Sequence, residues 1–114
     1  MNLHVSMVAF IPLLMKKSDF EEAVLRQDAW IGDAVLELYV RTWILEVHEV
    51  MDAELKARFT CNQFLNCVGN PTKVEATIGV LYREKGMDSA FAWIKTNLEP
   101  LFLKQEAKRK KGHG

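Results

Sequence analysis

Three charged side chains interrupt an otherwise apolar segment, residues 29–45. Asp33, Glu37 and Arg41 are the only charged residues in it, and their spacing of four puts them in one stripe if the segment is helical. A carboxylate among apolar neighbours is costly unless it is paired or binds a cation. An ion pair between Glu37 and Arg41 is one sufficient explanation for Glu37. It does not account for Asp33, which is therefore the stronger candidate for chemistry.

A second carboxylate, Glu75, lies in a predicted helix over residues 71–84 and shares a packed face with Gly79. If this helix crosses the one that carries Asp33, both carboxylates come within reach of one divalent cation. Ligation by carboxylates alone suits a hard cation, Mg²⁺ or in its place Mn²⁺. Such a cation would activate water against a phosphodiester and stabilise the leaving oxygen.

Each of the two candidate carboxylates has a glycine close to it: Gly32 precedes Asp33, and Gly79 is four residues after Glu75. A glycine inside a helix costs about 1 kcal/mol relative to alanine, so Gly32, next to Asp33, predicts the close approach of another helix or of a partner chain. We expect Gly32 and the apolar helix faces to lie at a subunit interface.

The remaining pattern predicts helices and no strands. Ser18 with Glu21 is typical of a capping box at the start of the first helix, and Asp52 predicts the cap of a helix that ends at Gly69. Further helices are predicted to begin at Asn70-Pro71, at Asp88 and near Pro100, and residues 110–114 are predicted to be disordered. The aromatic residues are expected to be core or dimer contacts: Trp30, Trp43, Phe91 and Trp93.

The length of 114 residues predicts one domain, and the 15 basic and 15 acidic residues balance. We divide the chain into an apolar N-terminal segment (1–17), a helical domain (18–103) and a basic tail (104–114). An acidic body with a basic tail suits a protein that meets phosphates with one part and holds cations with another. An ordinary solubilising tail is the plainer alternative.

The N-terminal segment lacks the pattern of a signal peptide, because its lysines follow the apolar run instead of preceding it. It is too short to span a bilayer, and Met7 and Met15 are alternative start sites to Met1. Cys61 and Cys67 are too few for a disulfide scaffold, and we expect reduced core cysteines in a cytoplasmic protein without a membrane contact.

Three segments resemble, in order, the motifs of the ribonuclease III family. Residues 30–38 read WIGDAVLEL and are similar to the family signature. Residues 59–62 read FTCN and resemble its leucine-valine-serine-asparagine segment, and residues 74–82 read VEATIGVLY and resemble its second motif. Together the three matches cover about half of the chain.

The resemblance implies an all-α, shortened ribonuclease III-like endonuclease domain that forms a homodimer and cleaves double-stranded or structured RNA with Mg²⁺ and no organic cofactor. Matched by position, the metal-binding aspartate and glutamate of the family fall on Asp33 and Glu75. Around them, Glu37, Asn62 and Thr72 are expected to orient waters or ligands. Seven basic residues are candidates for RNA contact: Arg58, Lys73, Arg83, Lys108, Arg109, Lys110 and Lys111.

The chain departs from the family pattern at two usual metal-site acids, which are Ala29 and Thr72 here. The segment between Asn62 and Glu75 is also shorter than the family's. The missing acids are similar to the Mini-III branch, which also lacks the double-stranded-RNA-binding domain. The shorter segment resembles short ribonuclease III-like proteins encoded by bacteria and their phages. Two alternatives therefore stay open: a degenerate domain that binds RNA or a ribosomal precursor without cutting it, and a helical dimerisation module unrelated to nucleic acid.

Overall fold

The computed structural model describes residues 16–113, and every regular element in that range is an α-helix. The apolar N-terminal segment and the alternative start sites Met7 and Met15 lie almost wholly outside the described residues. The helices are α1 (Lys17–His48), α2 (Ala53–Thr60), α3 (Asn62–Leu65), α4 (Pro71–Lys85), α5 (Met87–Asn97) and α6 (Glu99–His113). The prediction of an all-α chain is confirmed over this range. No helix in it is long and apolar enough to cross a membrane.

Helix α1 begins two residues earlier than the predicted capping box implies. Lys16 is its N-cap and makes no side-chain capping bond, and the Phe20 amide donates to the Lys16 carbonyl oxygen at 3.0 Å. Ser18 is therefore already inside the first turn, where its helical backbone cannot take the extended conformation of an N-cap, and the predicted capping box is wrong. At the other end, Glu49 adopts a left-handed conformation (φ 63°) and its amide donates to the Leu45 carbonyl oxygen.

The predicted helix from Asp52 to Gly69 is broken into α2 and α3. Asp52 does cap α2, because its side chain accepts from the Leu55 amide at 2.9 Å. The break is at Cys61, whose backbone is extended (φ −77°, ψ 156°). On an unbroken helix Phe59 and Phe64 would point about 140° apart, whereas the break allows both rings to be buried in one core.

Helix α4 follows the prediction closely. Asn70 accepts from the Lys73 amide at 3.1 Å, Pro71 occupies the first turn, and the helix ends at Gly86 with φ 93°. Helix α6 differs at its end: it continues to His113, so the predicted disorder is wrong for residues 110–113. The basic tail is thus the second half of α6, with its lysines exposed.

The core lies between α1 and the other helices and is rich in aromatic rings. Phe59 and Phe102 pack with ring centroids 4.3 Å apart, and Phe64 meets Phe102 at 5.3 Å. Trp43, Phe91 and Trp93 pack against this core as predicted. Trp30 does not, because 76% of its surface is exposed.

The prediction of core cysteines is wrong. Both thiols are free, and both residues are exposed. Cys61 lies at the break between α2 and α3 and Cys67 in the turn that follows α3, so neither belongs to a buried helix face.

Candidate metal centre

Helices α1 and α4 cross at two glycines. A Cβ atom on Gly32 would overlap the carbonyl oxygen of Glu75 and lie 2.9 Å from the Gly79 nitrogen. A Cβ atom on Gly79 would in turn overlap the carbonyl oxygen of Asp28. Only glycine permits this approach at either position. The close contact predicted for Gly32 is therefore with α4 of its own chain, and the expectation that Gly32 lies at a subunit interface is wrong.

The crossing brings the side chains of Asp33 and Glu75 together. Gly32 precedes Asp33 and lies against the backbone of Glu75, so the two side chains leave neighbouring helices at the same place. Glu75 is half-buried, whereas Asp33 is exposed, contrary to the buried aspartate that its apolar neighbours suggest. Burial, together with the hydrogen bond to Asp33 and its negative charge, raises the pKa of Glu75 to about 7. Glu75 therefore keeps its proton to a higher pH than an ordinary glutamate does.

The two carboxyl groups line an open cleft of about 480 Å³. Two further predicted residues line the same cleft: Asn62, the first residue of α3, and Thr72, in the first turn of α4. The break at Cys61 makes this possible, because it starts a new helix at Asn62. The structure thus brings together Asp33, Glu75, Asn62 and Thr72.

Glu37 does not line this cleft. Its carboxylate accepts from Arg41 at 3.2 Å and from Lys56 at 3.3 Å. The ion-pair explanation of Glu37 is confirmed, and the structure does not bring this carboxylate to Asp33 and Glu75 as the resemblance led us to expect.

The donor set suits a hard cation. Within residues 16–113 neither Asp33 nor Glu75 has an ion-pair partner, so no basic side chain compensates the charge of the two facing carboxyl groups. The same range holds no cluster of three or more His, Cys, Asp or Glu that could hold a metal ion. Mg²⁺ is commonly bound through one or two carboxylates, with water and substrate phosphates completing its shell. Two carboxylates with the oxygens of Asn62 and Thr72 nearby fit that pattern.

The predicted RNA contacts fall into two groups. Arg58 donates to Glu106 at 2.9 and 3.0 Å, and Arg83 donates to Asp28 at 3.1 Å, so both guanidinium groups are engaged within the chain. The other five are exposed: Lys73, Lys108, Arg109, Lys110 and Lys111.

Five residues that line the cleft were not among the predicted site residues: Arg26, Ala29, Trp30, Thr60 and Cys61. Of these, Arg26 and Trp30 have large side chains on α1, and Trp30 had been expected in the core or at a dimer contact. Their spacing from Asp33, seven and three residues on one helix, was the signal that could have found them. Comparison with protein-family models, with curated proteins and with solved structures gives no match for this chain. The geometry of the cleft is accordingly the basis on which a function is assigned.

Proposed function

We propose that this protein is a Mg²⁺-dependent endoribonuclease that cleaves double-stranded or structured RNA as a homodimer. The observation that carries the proposal is the carboxyl pair of Asp33 and Glu75 at the glycine crossing of α1 and α4. Backbone contact between the helices holds the pair rigidly, which is what a preorganised cation site requires.

In this mechanism Asp33 and Glu75 hold the cation. When bound, Mg²⁺ supplies a water of lowered pKa and stabilises charge on the leaving oxygen. Glu75 must first lose its proton, and its pKa of about 7 makes the site competent at and above neutral pH. Asn62 and Thr72 offer oxygens at the cleft edge that can orient waters around the site.

RNA as the substrate is supported by the shape and charge around the site. The cleft is open, as access for a polymer backbone requires. Arg26, in an exposed ion pair with Glu22, lines it, and Lys73 lies exposed one position beyond Thr72. Guanidinium and ammonium groups bind phosphate oxygens and would position the backbone without reading its sequence. The three motifs that resemble ribonuclease III, in family order, point to the same substrate.

The homodimer is supported by an exposed apolar face on α1. Trp30 is 76% exposed, and Leu38 and Leu45 on the same side of the helix are about half exposed. Large apolar side chains exposed along one side of a helix offer a surface for a partner chain. Because Trp30 also lines the cleft, pairing of two copies through this face would place their clefts close together, with one site for each strand of a duplex.

A catalytically degenerate RNA- or ribosome-binding protein is the alternative, and one observation favours it. Ala29 and Thr72, which replace two acids of the family pattern, both line the cleft, so only two carboxylates face it. In either case we propose a cytoplasmic location, since the free, exposed thiols of Cys61 and Cys67 fit a reducing compartment.

The test is cleavage of an end-labelled RNA duplex with Mg²⁺, with and without chelator. We expect metal-dependent cuts by the wild type and loss of at least about a hundredfold in rate for Asp33→Asn and Glu75→Gln, because metal-site chemistry contributes several kcal/mol. Asp19→Asn on α1 and Glu84→Gln on α4 are matched controls, since both residues are exposed on the same helices. Full activity in either site variant contradicts the assignment. Duplex binding without cleavage by folded protein supports the alternative.

A further inference from the structure

A second cavity, of about 540 Å³, lies between α1 and α5 and shares no lining residue with the cleft. Its volume is within the range of small-molecule sites. Three aromatic rings and three carboxylates line it: Tyr39, Trp43 and Phe91, with Glu46, Asp88 and Glu99. We propose that this cavity binds an organic cation, an ammonium or guanidinium group carried on an apolar stem. The proposal does not depend on the nuclease function.

The aromatic wall is held in place by the core. Tyr39 meets Phe91 nearly edge-on, with ring centroids 5.2 Å apart and an interplanar angle of 84°. Trp43 packs in the same manner against Phe59 and Phe102, at 5.6 and 6.1 Å. Aromatic faces attract cations that lie within about 6 Å of the ring centre, and Trp attracts them most strongly. Rings that are already ordered need not lose further freedom when a ligand binds.

The carboxylates supply the charge. The Tyr39 hydroxyl donates to Glu99, which orients that carboxylate beside the aromatic wall. The pKa of Tyr39 is raised, first by burial and then by the hydrogen bond to Glu99. The negative charges of Glu99 and Glu46 add to the shift, so both acids lie close enough to act on the phenol oxygen. In the described part of the chain, Glu46 and Asp88 have no ion-pair partner.

The combination identifies the class of ligand. Among the described residues, Lys95 is the one basic residue that lines the cavity, and three carboxylates outweigh it. A small hard metal ion would need several oxygens converging on one point, and residues 16–113 hold no such cluster. An organic cation can place its stem against the rings and its charged head near the carboxylates. Free polyamines and the Lys or Arg side chains of peptides both have this chemistry.

The experiment is an NMR titration of the ¹⁵N-labelled full chain, following the indole N–H of Trp43. Trp30 and Trp93 do not line the cavity and serve as internal references. The probes are spermidine, a capped arginine-containing tripeptide and the uncharged 1,4-butanediol. We expect a saturable shift of the Trp43 resonance with at least one cation and none with the diol. Glu46→Gln/Asp88→Asn should weaken binding about tenfold, and Glu84→Gln should leave it unchanged.

The cation that binds more tightly distinguishes a free polyamine from a peptide side chain as the source of the ligand. The proposal is overturned if neither cation shifts the Trp43 resonance, even at the highest concentration at which that cation is soluble. It is also overturned if the diol binds equally well, or if the double variant binds like the wild type. Since the readout does not involve RNA or Mg²⁺, these outcomes leave the nuclease proposal unaffected.

Discussion

The side chains of Asp33 and Glu75 line one cleft where α1 crosses α4, although they belong to different sequence motifs. The glycine contact between Gly32 and the Glu75 backbone makes this possible, because any larger residue would force the helices apart. The nearby Asp33 carboxylate and burial raise the pKa of Glu75 and so favour its protonated form. A divalent cation between the two carboxylates would compensate both charges, and this exchange of a proton for a cation underlies the predictions about the site.

The first prediction concerns the crossing itself. Gly32→Ala should lower the free energy of unfolding by about 3 kcal/mol, because the new methyl group overlaps backbone that cannot move aside cheaply. Gly79→Ala should behave similarly. Urea unfolding monitored by circular dichroism measures both. Gly112→Ala is the matched control: nothing lies within 4 Å of its added Cβ, so stability should be unchanged or slightly higher. A Gly32→Ala protein as stable as the wild type would show that the crossing is looser than described.

The second prediction concerns pH. The pKa of Glu75 rises from 4.5 to about 7 on folding, so between these values the folded state binds more protons than the unfolded state. Stability from this residue is therefore present at low pH and falls as pH rises through that window. The Glu75→Gln variant has no titrating group at this position and therefore lacks this pH dependence. In the absence of metal, the unfolding free energy of the variant should equal that of the wild type near pH 5 and exceed it near pH 8. Parallel pH profiles for the two proteins would contradict the description of the pair.

Local sequence signals predicted α4 well, because its boundaries depend on neighbouring residues. Asn70, Pro71 and Gly86 act through the backbone at their own positions, so the sequence alone indicates where this helix starts and stops. The pairing of Asp33 with Glu75 was also predictable. Each carboxylate lies near a glycine on its own helix, and glycines on two helices indicate that the helices cross closely.

Features that depend on tertiary packing were not predictable. The break at Cys61 follows from burying Phe59 and Phe64 in one core, and nothing in the local residues announces it. The exposure of Trp30 was missed for the same reason, because an aromatic residue in an apolar segment is ordinarily buried. Glu37 lies outside the cleft, and its carboxylate pairs with Lys56, which belongs to another helix and so was not visible in the local sequence.

The third prediction concerns the attachment of α6. Arg58 and Glu106 form a bidentate, partly buried ion pair between α2 and α6, and this pairing lowers the pKa of Glu106. Glu106→Gln should therefore cost about 1 kcal/mol of stability at neutral pH. The contribution is present above the ordinary glutamate pKa and is lost as pH falls through the lowered value. Glu22→Gln, which breaks the exposed pair with Arg26, should cost much less in the same urea titrations. Equal losses would contradict the prediction.

The fourth prediction concerns the basic face of α6. Lys104, Lys108 and Lys111 are exposed at helical spacing, so they form a ridge that can follow phosphates. If all three contact RNA, changing them to Gln should reduce the slope of log affinity against log salt by about 2 to 3. Fluorescence anisotropy with a labelled duplex measures the slope. Three changes to Gln at Lys16, Lys17 and Lys85 provide a control of equal charge, and an identical loss there would contradict a specific role for α6.

The most direct test of the central claim is Mn²⁺ binding by electron paramagnetic resonance, with Mg²⁺ as the competitor. Wild-type protein should bind Mn²⁺ at pH 8 and more weakly at pH 6, because binding requires Glu75 to lose its proton. Asp33→Asn and Glu75→Gln should each weaken binding at least about tenfold, since each removes one of two charged ligands, whereas Asp19→Asn and Glu84→Gln should bind like the wild type. Equal Mn²⁺ affinity in all five proteins would contradict the claim that Asp33 and Glu75 hold one divalent cation.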